Sequence, residues 1–103
     1  MRVAIVEDEL SSQNKISSYL EMFEKETKIP IQSEILTDGT EIVERYHAGQ
    51  KYDVILLDIE MAHMDGMKAA GMIRELDEDA ILMFITNMAQ YVMKGYEVSA
   101  LDF

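Results

Sequence analysis

The sequence predicts a doubly wound α/β domain, in which a parallel sheet carries helices on both faces. Val3-Ala4-Ile5-Val6, Val54-Ile55-Leu56-Leu57 and Ile81-Leu82-Met83-Phe84-Ile85 are short, uninterrupted apolar runs, as expected of strands covered on both faces. Segments with helical spacing separate them, and the joints between strand and helix are short and rich in turn residues. With 103 residues, 49% of them hydrophobic, the chain is sized for one domain spanning residues 1–103.

The elements follow in order. The first strand begins directly after Met1, and Ile16, Tyr19, Leu20 and Phe23 mark the apolar face of a first helix. Ile31-Gln32-Ser33-Glu34-Ile35 alternates apolar with polar and follows Pro30, which suits a half-exposed edge strand. Thr37-Asp38-Gly39 starts a second helix with Ile42, Val43 and Tyr46 inward, and His47-Ala48-Gly49 stops it. After the third strand, Met64-Asp65-Gly66 opens a third helix that presents Ala69, Met72, Ile73 and Leu76 to the core. The fourth strand is followed by a weaker helical pattern from about Ala89 to Lys94, closed by Gly95. Ala100-Leu101-Asp102-Phe103 then opens a fifth strand, and the expected sheet is truncated in or just after it. Repeated right-handed crossovers with an edge-type second strand give the flavodoxin-like strand order 2-1-3-4-5. Met67, Met72 and Met83 fall on core positions of this scheme.

Charge and composition narrow the function. Twenty acidic residues against nine basic ones give a net charge of -11 with no Lys/Arg cluster, so direct binding of nucleic acid by this chain is not expected. The absence of cysteine removes disulfide, thiolate and zinc–cysteine chemistry. No apolar stretch reaches the length of a signal core or a membrane span, and a cytoplasmic protein without a membrane partner is expected.

In sheets of this type the site lies outside the carboxyl ends of the strands. There the sequence places Glu7 and Asp8 after the first strand, Asp58 after the third and Thr86 after the fourth. Three adjacent carboxylates repel one another, and a hard divalent cation such as Mg2+, which takes oxygen ligands and keeps several waters, relieves that repulsion. With its charge so compensated, Asp58 suits a nucleophile toward a phosphoryl group, with the Thr86 hydroxyl as a donor to the phosphoryl oxygens. Each acid alone has a plainer explanation, since Glu7 and Asp8 also suit the positive end of a following helix. Asp58 is harder to explain so, because a carboxylate directly after four apolar strand residues needs a partner.

Val3-Ala4-Ile5-Val6-Glu7-Asp8-Glu9, Val54-Ile55-Leu56-Leu57-Asp58-Ile59-Glu60-Met61, Met64-Asp65-Gly66-Met67 and Phe84-Ile85-Thr86, in this order and spacing, resemble the receiver domains of two-component response regulators. The resemblance implies that Asp58 is the phosphoacceptor and that a histidine kinase is the donor. It implies Mg2+ held by Glu7, Asp8, Asp58 and the backbone carbonyl of Glu60. Thr86 matches the switch hydroxyl and Phe103 the switch aromatic. The stretch Gly95-Tyr96-Glu97-Val98-Ser99-Ala100-Leu101-Asp102-Phe103 is similar to receivers whose output is a LytTR-type DNA-binding domain.

Such a module catalyses only its own phosphorylation and dephosphorylation, and is not otherwise an enzyme. Two departures from the family pattern stand out. Ala62 occupies a position that is often proline, and the chain stops before the lysine and fifth helix that receivers normally carry. The expected consequences are weaker phosphorylation and self-association, through the fourth-helix and fifth-strand face or through sheet left uncovered. Two other functions fit less well. One is a pseudo-receiver that never accepts phosphate, which the complete set of acids with Thr86 argues against. The other is a metal-dependent phosphohydrolase with Glu60 as second acid, for which no further acidic motif follows. His63 and His47 read as a loop residue and a helix-end residue, and Lys68 and Arg74 as solvated helix positions.

Overall fold

A computed structural model describes residues 1–58 and 66–85. The elements are β1 (Arg2–Val6), α1 (Leu10–Thr27), β2 (Gln32–Leu36), α2 (Gly39–His47), β3 (Val54–Leu57), α3 (Gly66–Leu76) and β4 (Ile81–Phe84). The four strands form one parallel sheet in the order β2-β1-β3-β4, as the sequence predicts. The expected fourth helix and fifth strand lie outside the described residues.

The continuous apolar runs follow from the pleat, because successive side chains point to opposite faces and both faces are covered. Ala4, Val6, Leu36, Ile55, Leu57, Leu82 and Phe84 pack with Ile42, Val43 and Tyr46 of α2 and Ala69, Ala70 and Ile73 of α3. The alternate positions, Val3, Ile5 and Leu56, take Ile16 and Leu20 of α1 on the other face, with Val54, Met83 and Ile85 half-buried beside them. Met67 and Met72 pack against the larger cluster and Met83 against the smaller.

Local chemistry sets the boundaries. The Asp38 carboxylate accepts from the N–H groups of Thr40 and Glu41 at the start of α2, satisfying donors that the helix leaves open. Past its end, Gly49 takes a φ of +88°, a conformation that a side chain would disfavour. Helix α1 stops at Lys28, in the left-handed region, with its N–H donated to the Glu24 carbonyl.

Three expectations shift. The edge strand runs over Gln32–Leu36 rather than from Ile31, and buries Leu36 while Ile35 is exposed. In α1 the predicted face divides: Ile16 and Leu20 reach the sheet, whereas Tyr19 and Phe23 are 59% and 42% exposed. None of the 18 residues of α1 is fully buried. Leu76, at the end of α3, is also exposed. A helix rests on a sheet along a narrow strip, so the outer part of a broad apolar arc stays in solvent.

A carboxylate site at the carboxyl ends of the strands

Strand pairing continues one residue past each strand and so fixes the main chain of the site. Glu7 N–H donates to the Leu36 carbonyl (2.9 Å), Asp58 N–H to the Val6 carbonyl (3.0 Å) and Ile85 N–H to the Leu57 carbonyl (2.8 Å). Glu7 and Asp58 therefore emerge side by side from β1 and β3, with Asp8 next in the chain. Carboxylate oxygens of Glu7, Asp8 and Asp58 all lie within 4.8 Å of one another. The predicted acidic trio is thus brought together. Thr86, Glu60 and Phe103 lie outside the described residues.

The three acids differ in setting. Glu7 is buried, Asp58 half-buried and Asp8 exposed. Burial, first, and then a hydrogen bond with Asp58 and the charges of Asp58 and Asp8 push the Glu7 carboxyl up to about 7, although the Glu9 N–H donates to it. Ion pairs join Arg45 and Arg2 to Glu34, on another part of the sheet. A residue that sequence reasoning passed over supports the site: Gln13 of α1 donates from Nε2 to the Glu7 carbonyl oxygen at 2.7 Å. A polar residue one turn into a helix carries no signal of that role.

The donor set fits a hard cation. It is made of oxygens alone, it brings three carboxylates within 4.8 Å of one another, and its Asp8 member is exposed to solvent. The description "response regulator receiver domain" matches residues 3–103, nearly the whole chain. The chain belongs to this family. Like the receiver, its curated relatives are signalling proteins: the sensory transduction protein LytT of Bacillus anthracis is 26% identical over 103 residues, covering all of this chain and 40% of that protein. LytT of Bacillus subtilis is 26% identical over the same length and covers 41% of that protein. The chain thus spans about 40% of the length of the curated relatives it matches. Among solved structures, the response regulatory domain of mrkE from Klebsiella pneumoniae superposes with a TM-score of 0.82 at 27% identity, covering 99% of this chain and 80% of that one. TrrA of Thermotoga maritima, solved in complex with Mg(2+)-BeF, shares the fold at a TM-score of 0.81 and 23% identity, over 98% of this chain and 82% of that one. No helix among the described residues of the receiver is long and apolar enough to cross a membrane.

Proposed function

We propose that Asp58 is the phosphoacceptor of this receiver and that Glu7, Asp8 and Asp58, with the backbone carbonyl of Glu60, hold Mg2+. The observation that carries this reading is the convergence of three carboxylates from two adjacent strand ends. Asp58 is the member suited to attack. Glu7 is buried, its carboxyl oxygen is occupied by the Glu9 N–H, and its proton is held up to about neutral pH. Asp8 is exposed, which suits a ligand at the open side of a metal site. Asp58 is half-buried, and its main chain is anchored by the Val6 carbonyl.

In the reaction, an Asp58 carboxylate oxygen forms a bond to phosphorus as the phosphorus–nitrogen bond to the imidazole of a histidine kinase breaks, leaving an acyl phosphate. Bound magnesium supplies charge neutralisation for the carboxylates and the phosphoryl oxygens. Thr86 serves as the hydroxyl that donates to a phosphoryl oxygen, and Phe103 as the aromatic that reorients in response. The module turns over only its own phosphoryl group. A partner must bind the phosphorylated form differently for a signal to pass, and a second receiver meeting the fourth-helix and fifth-strand face is the natural one. In the longer regulator the output is a LytTR-type DNA-binding domain acting in the cytoplasm, which the similarity to LytT supports.

The test is incubation with magnesium and acetyl phosphate, read by intact mass. The parent chain gains one phosphoryl group and Asp58→Asn gains none. Equal gain in both would place the acceptor elsewhere. No gain in the parent, repeated in a longer chain that continues past residue 103, would rule out the phosphoacceptor role.

A further inference from the structure

Each acid at the carboxyl end owes its direction to something different. Asp58 follows the rung from its N–H to the Val6 carbonyl, and the Glu7 carboxyl is held by the Glu9 N–H at 3.1 Å. Asp8 is exposed, so packing does not aim it. Its direction depends on the main chain that leads into it. That main chain is the peptide plane between Glu7 and Asp8, whose carbonyl oxygen accepts from Nε2 of Gln13 at 2.7 Å.

The reach of Gln13 answers a local shortage. β2 ends at Leu36, whose carbonyl takes the Glu7 N–H, so the pairing that fixes β1 on that side stops where the chain must turn toward α1. Glu9 stands at the N-cap of α1 and its side chain makes no capping bond, in contrast to Asp38 at the start of α2. Packing does not hold the first turn either, since Leu10 is 69% exposed and the α1 residues that meet the sheet cluster begin at Ile16. Gln13 substitutes for both. Its main-chain N–H donates to the Glu9 carbonyl at 3.0 Å and its side chain to the Glu7 carbonyl, so one half-buried residue grips both ends of the turn at residues 7–9. A carbonyl oxygen only accepts, so the nitrogen side of the amide is the one that must face it.

We propose that Gln13 is a positioning residue for the carboxylate site, holding the Glu7–Asp8 peptide plane so that the Asp8 carboxylate stays directed at those of Glu7 and Asp58. This role rests on the reading of the trio as a Mg2+ site. A peptide unit is planar, so fixing its oxygen also fixes the nitrogen of Asp8 and leaves only rotations about Asp8's own bonds to place the carboxylate. Without the Gln13 donor the plane is free to turn, with its carbonyl hydrated instead, and Asp8 turns with it. Magnesium demands near-ideal placement of its oxygens, and a ligand whose support is removed holds it less tightly. Gln13 acts through Asp8 and not on the ion.

The test is Mg2+ titration of the 103-residue chain followed by backbone NMR, on the parent and on Gln13→Met. Methionine matches glutamine in length and helix propensity and lacks the donor. Mg2+ affinity is expected to fall about 10-fold, as the loss of a partner that orients a ligand implies. Before any metal is added, the Glu7 carbonyl 13C resonance should move upfield, and the coupling between the amide proton and Hα of Asp8, which reports its φ, should change. Gln13→Asn keeps the amide but stops one methylene short, so it should behave as Gln13→Met and serves in its place if that variant folds poorly. Urea denaturation confirms that each variant is folded under the titration conditions, so lost stability cannot account for weaker binding. Affinity within about 2-fold of the parent overturns the proposal, since outer partners of a ligand have larger effects. So does weaker binding with the Glu7 carbonyl and Asp8 coupling unmoved, which would make Gln13 a general support of the fold. A parent chain that binds no Mg2+ refutes the metal site and this role with it, whereas a parent that binds beside an indifferent variant refutes the role alone.

Discussion

The two ends of the sheet carry acids in opposite circumstances. At the carboxyl end, Glu7, Asp8 and Asp58 crowd together, and burial and the neighbouring acids push the Glu7 carboxyl up to about 7. At the amino end and its loops, acids are matched by donors. The Arg45 guanidinium holds the Glu34 carboxyl below its ordinary value, with the Tyr52 hydroxyl and Arg2 assisting against a desolvation cost. Burial would raise the Asp77 carboxyl, but the Tyr46 hydroxyl and the N–H groups of Asp79 and Ala80 outweigh it and hold it low. Arg2 also lies over the Tyr52 ring, 4.6 Å from its centroid. The same residue type, placed at opposite ends of one sheet, is held ionised where donors surround it and pushed toward its neutral form where other acids do.

The largest expected effect breaks that contrast at Glu7. Its folded pKa lies above the unfolded value, so its neutral form is favoured in the folded chain. The associated stability is present below about pH 4.5 and lost as pH rises through about 7. In a chelator, the metal-free chain should lose on the order of 3 kcal/mol from this group across that window. Glu7→Gln, neutral throughout, should lack that loss. Urea denaturation at pH 5 and pH 8 measures the difference, and a parallel pH profile for parent and variant would show that the carboxyl is not crowded. Magnesium added to the parent at pH 8 should recover stability, because it binds the folded state alone.

At the amino end, Tyr46→Phe removes a hydroxyl that donates to Asp77 at 2.9 Å and accepts from the Tyr52 N–H at 3.4 Å. Both partners are buried, so the cost should be about 1–3 kcal/mol at neutral pH. The Asp77 pKa is depressed on folding, so its contribution is present above the ordinary value of 3.8 and is lost as pH falls through the lower folded value. The deficit of Tyr46→Phe should therefore shrink in acid, the reverse of the Glu7 profile. Thermal unfolding at pH 7 and pH 3 checks this.

What could be read from the sequence divides along similar lines. The apolar runs located β1, β3 and β4, because a strand covered on both faces is apolar throughout, and polar–apolar alternation after Pro30 located β2 to within a residue. The strand-end rule then brought Glu7, Asp8 and Asp58 to one place before any geometry was known. Periodicity grouped Tyr19 and Phe23 with Ile16 and Leu20, since it finds an apolar arc and says nothing of how much of that arc the sheet can touch. The satisfied network was less visible. Asp77-Glu78-Asp79 reads as an ordinary polar loop, and its partner Tyr46, whose hydroxyl also accepts from the Tyr52 N–H, is 31 positions away in the chain. Gln13 escaped notice because it acts through a main-chain carbonyl, which any residue at position 7 would supply.

The smallest effect separates the exposed part of the amino-end network from the buried part. Arg45 donates from Nε to Glu34 at 2.8 Å, a good geometry, yet both side chains remain a third or more exposed. Water and mobile ions then screen the attraction, whereas the hydrogen bonds of Asp77 lie where neither reaches. Arg45→Gln keeps a long polar side chain and removes only the charge. Its Tm should fall by less than that of Tyr46→Phe, and the difference from the parent should vanish in roughly 1 M NaCl, where the screening length drops to about 3 Å. The Tyr46→Phe deficit should persist in the same salt. If both deficits disappeared together, long-range charge rather than local hydrogen bonding would hold the amino end, and the contrast between the two ends would be one of net charge alone.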